Sequence, residues 1–174
     1  RLLSESLICA DETTVQVLSE PEKTAQSQSY MWVYRSGEFH TTPVVIYDYQ
    51  PSRSANCVKT FLGDYSGYLL SDGYPAYDTL KTVTQAGCMA HVRRKFTDAQ
   101  KAQPTKKVGR VEKALNYIGK LYGIEREVRE LSPEIRQQIR QQKSSPVLDE
   151  FHKWLVGIKE TQLPKGKLGV AINY

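Results

Sequence analysis

The sequence has no run of about 18 apolar residues, which is the length that a membrane-spanning helix needs. Its first residues also lack the succession of basic, apolar and small residues that marks a secretory signal peptide. These two absences argue against a membrane protein and against an exported one. We therefore expect a protein with no membrane partner and a cytoplasmic location.

Cysteine is scarce as well. Cys9, Cys57 and Cys88 are an odd number, lie far apart and form no CxxC pair, which argues against a disulfide framework and a zinc ribbon. Cys88 and His91 have the spacing of half a zinc site or of a Cys/His nucleophile pair, but no second pair has a matching spacing. We expect reduced thiols and a structural role, with Cys88 in the core and His91 near the sheet edge.

Positive charge, in contrast, is concentrated in one segment. Residues 93–113 contain eight Lys or Arg and two acids, a net +6, whereas the whole chain has a net charge of +5. Arg93, Arg94 and Lys95 are consecutive at the start of a predicted helix. Such cations can contact DNA phosphates without reading the base sequence, although a basic helix face can also be simply solvated.

The first fifty residues have the pattern of three antiparallel strands. Residues 7–18 alternate, and residues 30–35 and 43–49 are rich in aromatic and β-branched side chains. The alternation places Asp11 on the face that we expect to be directed toward the core. It places Glu12 on the opposite face, so Glu12 is not expected to be a primary metal ligand.

The next forty residues predict a helix and two further strands. Ser54 is expected to cap a short helix that ends at Gly63. Residues 67–72 form an almost unbroken apolar run that ends in an acid, which is typical of a parallel strand buried on both faces. Residues 83–88 have a weaker pattern that predicts a fifth strand.

From His91 onward the pattern becomes helical. Apolar residues at spacings of three and four between residues 111 and 128 predict a long amphipathic helix. Two Ser-Pro pairs, at 132–133 and 145–146, predict helix starts, each with a serine cap followed by proline. Residues 163–169 have the composition of a loop.

This order of elements is compatible with an RNase H-like sheet, in which the first strand lies beside the fourth. Asp11 and Asp72 would then be neighbours although 61 residues separate them. Paired carboxylates repel each other unless a cation lies between them, and Mg²⁺ prefers oxygen ligands. The alternative is that Asp11 caps or forms a salt bridge and that Asp72 only opens an Asp-Gly turn.

Five segments resemble successive blocks of the insertion sequence 66 family of transposases. They are ADET at 10–13, SDGY at 71–74 followed by AY at 76–77, CMAHVRRKF at 88–96, LYGIE at 121–125 and LGVAINY at 168–174. Each block alone is common, but five in the right order make the resemblance specific. The resemblance covers essentially the whole chain.

The resemblance implies a DDE-type transposase, with an α/β fold that contains an RNase H-like mixed five-stranded sheet and a helical insertion. It implies that Asp11 and Asp72 are the first two catalytic acids, and that two Mg²⁺ or Mn²⁺ ions serve to cut and rejoin DNA. The ends of the mobile element and the target DNA are then the expected partners, contacted by Arg93, Arg94 and Lys95. We expect a homo-oligomer in the assembled complex and association with the bacterial nucleoid.

The chain departs from the family at the third acid, a glutamate in an Asn-rich block followed by Glu-Arg, which does not occur before Tyr174. We expect this acid beyond Tyr174 and expect the isolated chain to be inactive. The acids that could substitute in principle are Asp98, Glu125, Glu127 and Glu130. Two alternatives stay open, namely another RNase H-like nuclease of the resolvase type and a non-catalytic DNA-binding module.

The same resemblance suggests a functional division of the chain. Residues 1–104 are expected to form the catalytic core and residues 105–160 a helical insertion. Residues 161–174 are expected to begin the return segment toward the third acid.

Overall fold

The computed structural model describes residues 1–37, 42–102 and 109–174. The chain divides into two compact units, residues 1–88 and 89–174. The described residues of the first unit contain a five-stranded sheet, two α-helices and a short 3-10 helix, and the second unit is helical. Within the described ranges, no helix combines the length and the apolar character needed to cross a membrane.

The sheet of the first unit has the strand order β3-β2-β1-β4-β5. Strands β1, β2 and β3 pair antiparallel, whereas β1 with β4 and β4 with β5 pair parallel. The predicted mixed sheet is therefore confirmed. Its elements are a short 3-10 helix at Leu2–Ser4, β1 (Leu7–Gln16), β2 (Gln28–Ser36), β3 (Val45–Gln50), α1 (Ala55–Leu62), β4 (Tyr68–Ser71), α2 (Pro75–Asp78) and β5 (Thr84–Gly87).

Helix α1 begins and ends where the sequence predicts. Ser54 occupies the N-cap position, although its hydroxyl lies 3.5 Å from the Cys57 sulfur and makes no capping bond to the backbone. Gly63 ends the helix with a φ of 53°, a left-handed conformation that glycine adopts without a Cβ clash. Helix α1 supplies the apolar side chains that cover one face of the sheet.

The buried face of the sheet is the opposite of the predicted one. Ile8 and Ala10 are 0% and 6% exposed, whereas Asp11 is exposed. The reason is the neighbouring strand, where Trp32 and Tyr34 are fully buried and belong to the same apolar cluster as Ile8 and Ala10. Asp11 consequently lies on the more open face, where a charged group keeps its hydration.

Strand β4 was predicted to be buried on both faces, and this was wrong. Leu69 is fully buried and joins the core, but Tyr68 is 57% exposed and Leu70 is half-buried. The residues of β4 are almost all apolar, but only one face of the strand packs against the core. Hydrophobic runs of four to eight residues therefore do not reveal whether one face or both faces are covered.

The second unit contains five α-helices and a π-helical segment among its described residues. Its elements are α3 (Met89–Ala102), α4 (Arg110–Val128), α5 (Pro133–Ile139), the π-helical segment Arg140–Ser144, α6 (Ser145–Lys159) and α7 (Lys167–Asn173). Its core is formed by Phe96, Ala114, Ile118, Phe151 and Ala171.

Two predictions for the second unit were wrong in detail. Ser145 does not cap a new helix, because the π-helical segment joins α5 directly to α6. Residues 163–169 are not all loop, since α7 begins at Lys167. The predicted boundary at 104/105 lies outside the described residues, and the functional division of the chain stays a prediction.

Candidate active site

The two strands that lead to the predicted catalytic acids, β1 and β4, pair in parallel. Leu7 pairs with Tyr68 and Cys9 pairs with Leu70, a constant offset of 61 residues. The observed pairs end at Cys9 and Leu70, and β4 ends at Ser71; the same offset, extended by two residues, would place Asp11 opposite Asp72. Aligned residues of parallel strands lie on one face at a strand spacing of about 4.8 Å, so an extension of this register predicts that the two acids are neighbours.

Each of the two acids is oriented by a neighbouring backbone amide. Asp11 is exposed, and its Oδ1 accepts a hydrogen bond from the backbone N–H of Glu12 at 3.0 Å. Asp72 is half-buried, and its Oδ1 accepts from the backbone N–H of Tyr74 at 2.9 Å, which closes an Asx turn. The Asp-Gly turn of the alternative interpretation is thus present, and it orients the acid that the metal-site interpretation uses.

Oxygen donors from two aspartates are what Mg²⁺ takes from a protein, together with water and substrate phosphate. Among the described residues, no group of three or more His, Cys, Asp or Glu side chains is arranged to hold a metal ion. Two of the substitute acids are engaged elsewhere, since Glu125 pairs with Arg140 and Glu127 with Lys143. Asp11 and Asp72 are oxygen donors of the type that part of a Mg²⁺ site requires.

Glu12, the neighbour of Asp11, belongs to a buried ionic cluster. Its side chain is 1% exposed, and its Oε1 accepts hydrogen bonds from the Nε of Arg53, at 2.8 Å, and from Nη2. Its Oε2 accepts from the hydroxyl of Tyr77 at 2.5 Å. Burial raises the pKa of Glu12, the bonds from Tyr77 and Arg53 oppose that rise, and the charge of Asp72 adds to it. Burial and the charge of Asp72 thus disfavour the charged form of Glu12, whereas its two donors favour it.

Arg53 is also held by Tyr74. The Arg53 guanidinium carbon lies 3.7 Å from the centroid of the Tyr74 ring, a cation–π contact. The Tyr74 hydroxyl donates a hydrogen bond to the Arg53 carbonyl oxygen at 2.5 Å. Because the Tyr74 amide binds Asp72, a continuous set of contacts joins Glu12 to Asp72.

Sequence reasoning discounted Glu12 as a ligand and did not identify Arg53. Glu12 does lie on the face opposite Asp11, as the alternation predicts, and that face is the buried one. A signal was available, because an acid that alternates with Ile8 and Ala10 requires a buried cationic or hydrogen-bonding partner. The identity of that partner was not available, since Arg53 is 41 residues away in the chain.

The three predicted DNA-binding cations lie in α3 of the second unit. Arg93 and Arg94 are exposed, whereas Lys95 is half-buried, with its Nζ 4.9 Å from the centroid of the Tyr174 ring. Two further cations of the basic segment, Lys106 and Lys107, lie outside the described residues. The exposure of Arg93 and Arg94 suits either a phosphate contact or a solvated helix face.

Cys88 and His91 lie at the end of the first unit and the start of the second. Cys88 is half-buried and does not belong to the buried core, contrary to prediction. Its backbone N–H donates to the carbonyl of Ser71 at 2.9 Å, which extends the pairing of β4 with β5. His91 is half-buried in the first turn of α3, and its structural role stays a prediction.

Comparison with known proteins matches residues 1–174 to the family described as "Transposase IS66 family". Two relatives from Sinorhizobium fredii, the uncharacterized proteins y4jD and y4qI, are each 30% identical to the chain, over 184 and 182 aligned positions. The alignments cover 98% and 96% of the chain but 35% and 33% of these relatives, so the chain spans about a third of their length. No solved structure matches. The chain belongs to the IS66 family of transposases.

Proposed function

We propose that the chain forms part of the catalytic domain of a DNA transposase and that Asp11 and Asp72 are two of its metal-binding acids. The observation that carries this proposal is the 61-residue offset between β1 and β4, which equals the separation of the two acids. Membership of the transposase family supports the same assignment.

We further infer that the sheet is RNase H-like. The support is the strand order, with three antiparallel strands followed by two parallel ones and with β1 beside β4. In this interpretation residues 1–104 contain the catalytic core, residues 105–160 form an insertion, and residues 161–174 lead toward the third acid. That third acid, a glutamate in the family, is proposed to lie beyond Tyr174.

The chemistry expected at this site is phosphodiester cleavage and strand transfer. Asp11 and Asp72 hold the cation, and the amides of Glu12 and Tyr74 orient their carboxylates. When bound, a pair of Mg²⁺ or Mn²⁺ ions supplies activation of the attacking hydroxyl and stabilisation of the leaving oxygen. Two acids can hold a cation loosely, whereas in-line displacement needs both oxygens positioned. We therefore propose that the isolated chain does not cleave DNA.

Metal binding at the paired acids is tested by titrating the chain with Mn²⁺. The double variant Asp11→Asn, Asp72→Asn should bind Mn²⁺ more weakly, because neutral amides lose the charge that attracts the cation. The matched control is Asp78→Asn, which removes an exposed acid of the same unit at α2. Identical titration curves for the parent chain and the double variant would show that Asp11 and Asp72 do not bind the metal.

Catalysis is tested with DNA that carries the ends of the element. A protein extended past Tyr174 to include the Asn-rich block should cleave and join this DNA with Mg²⁺, and Asp72→Asn should abolish both steps. Cleavage without strand transfer would favour a resolvase-type nuclease, and DNA binding without any metal dependence would favour a non-catalytic binding module. Cleavage by residues 1–174 alone would show that an acid inside the chain completes the site.

We propose that Arg93, Arg94 and Lys95 contact the phosphates of the element ends and of the target DNA. Each phosphate contact adds about 0.9 to the slope of log K against log salt, so replacing Arg93 and Arg94 with alanine should lower that slope by up to about two. The matched control replaces Lys153 and Lys159, two exposed cations of α6. An unchanged slope in the arginine variant would show that Arg93 and Arg94 are solvated and do not contact phosphates.

Homo-oligomer assembly, a cytoplasmic location and association with the nucleoid stay predictions.

A further inference from the structure

We propose that Arg53 is a positioning residue that holds the Asp72 carboxylate in register with Asp11. This inference rests on the proposed metal-binding role of the two acids. Arg53 would act through Glu12 on one side and Tyr74 on the other, without itself binding the metal. The contacts that carry the inference all lie within the first unit.

The first step is the anchoring of Arg53 to β1. Its Nε and Nη2 both donate to Oε1 of Glu12, whose side chain is almost fully buried. The second oxygen of Glu12 is occupied by the Tyr77 hydroxyl, so the carboxylate cannot rotate without losing a bond. A buried carboxylate has few alternative geometries, because any other arrangement leaves its desolvated charge without a donor. Arg53 is therefore fixed relative to the residue that follows Asp11.

The second step is the connection from Arg53 to the turn that contains Asp72. The guanidinium packs on the Tyr74 ring, and the Tyr74 hydroxyl binds the Arg53 carbonyl oxygen. These two contacts hold both the ring and the hydroxyl of Tyr74. The amide of the same residue donates to Asp72 Oδ1. The position of Tyr74 consequently determines the orientation of Asp72.

Asp72 needs this support because of its place in the fold. Strand β4 ends at Ser71, so Asp72 is the first residue beyond the strand. Asp11, in contrast, lies inside β1 and is paired with Val33 of β2. A metal-binding carboxylate outside regular structure depends on the hydrogen bonds around it, and changes in such outer partners commonly cost 10-fold to 100-fold in metal affinity.

The experiment measures Mn²⁺ affinity of the chain by electron paramagnetic resonance, in Arg53→Gln and in the milder variant Tyr74→Phe. Removing the positive charge of Arg53, which acts on Asp72, would by itself strengthen cation binding, whereas loss of positioning weakens it. We expect Arg53→Gln to raise the dissociation constant about 10-fold, and Tyr74→Phe to raise it by less. Unchanged or tighter binding in Arg53→Gln would overturn the inference.

Two controls separate positioning from general loosening and from failure of the metal site itself. Val58→Ala removes part of a fully buried side chain of α1 in the same unit and should leave Mn²⁺ affinity unchanged. An equal loss of affinity in Val58→Ala and Arg53→Gln would overturn the positioning role. Asp72→Asn should weaken binding, and no effect there would remove the proposed function as well. If Mn²⁺ affinity falls in Asp72→Asn but not in Arg53→Gln, the positioning role of Arg53 is wrong and the proposed metal site is retained.

Discussion

Both units of the molecule contain an arginine that donates two N–H groups to a glutamate, but the surroundings of the two pairs differ. In the first unit Arg53, whose side chain is 38% exposed, binds Glu12, whose side chain is 1% exposed, and we call this the buried pair after its carboxylate. In the second unit Arg140 binds Glu125 at 2.8 and 2.6 Å, and these side chains are 44% and 41% exposed. The chemical groups are the same, and the access of water is not.

Because both pairs consist of the same groups, the burial of the carboxylate decides how much each pair contributes to stability. If the buried pair loses its arginine, a carboxylate remains in a place where water cannot solvate it, which is costly. If the exposed pair loses its arginine, water replaces the lost partner at little cost. The buried pair can therefore fix a geometry, whereas the exposed pair contributes mainly a small and salt-sensitive stabilisation.

The largest expected effect is on the buried pair. Arg53→Gln should lower the free energy of unfolding of the first unit by about 3 kcal/mol, because it leaves Glu12 without its cationic partner. Urea denaturation with a probe in the first unit measures this change. Adding Glu12→Gln to Arg53→Gln should restore part of the loss, since the stranded charge is removed. A double variant no more stable than Arg53→Gln would contradict the burial argument.

The next effect tests whether the second unit depends on close backbone packing more than on charge. A Cβ on Gly169 of α7 would overlap the carbonyl oxygen of Leu163, so Gly169→Ala should cost about 1–3 kcal/mol of unfolding free energy. In the control Gly157→Ala, the added Cβ in α6 meets no atom within 4 Å. That change should be neutral or stabilising, because alanine favours a helix. Equal thermal denaturation of the two variants would show that α7 can shift freely.

A smaller effect is expected at the exposed pair. Arg140→Gln should lower the free energy of unfolding by less than about 1 kcal/mol, because both side chains remain largely in water. The loss should shrink further in 1 M salt, where exposed charges are screened. Denaturation curves at low and high salt provide the measurement. A loss as large as that of Arg53→Gln would break the distinction between the two pairs.

The smallest effect is the pH dependence of the exposed pair. The hydrogen bonds from Arg140 hold the pKa of Glu125 below its ordinary value of 4.5. A lowered pKa in the folded state adds stability above pH 4.5, and that stability is lost as the pH falls through the lowered pKa. The stability difference between the parent chain and Arg140→Gln should therefore be constant near neutral pH and disappear under acid. A stability difference that grows below pH 4.5 would contradict a lowered pKa of Glu125 in the folded state.

The five strands, α1 and the long helix α4 could be located from the sequence alone, because their signals are local. Alternation and apolar runs located the five strands, Ser54 and Gly63 located the ends of α1, and the ordered motifs identified the family. The separation of Asp11 and Asp72 became informative because parallel strands pair with a constant offset. The periodicity of apolar residues and the spacing of motifs depend on the sequence alone, so they can be recognised before the fold is known.

Which face of the sheet is buried, and which side chains form ion pairs, depends on contacts between residues that are far apart in the chain. Trp32 and Tyr34 of β2 pair with Glu12 and Ala10 and lie on the buried face with them, so Asp11 lies on the opposite, more open face and not on the core face that the alternation predicted. The partners of Glu12 come from 41 and 65 residues further along the chain, in Arg53 and Tyr77. No periodicity connects such distant residues. Their contact exists because packing of α1 and α2 on the sheet removes water from Glu12, and a buried carboxylate is stable only where donors surround it.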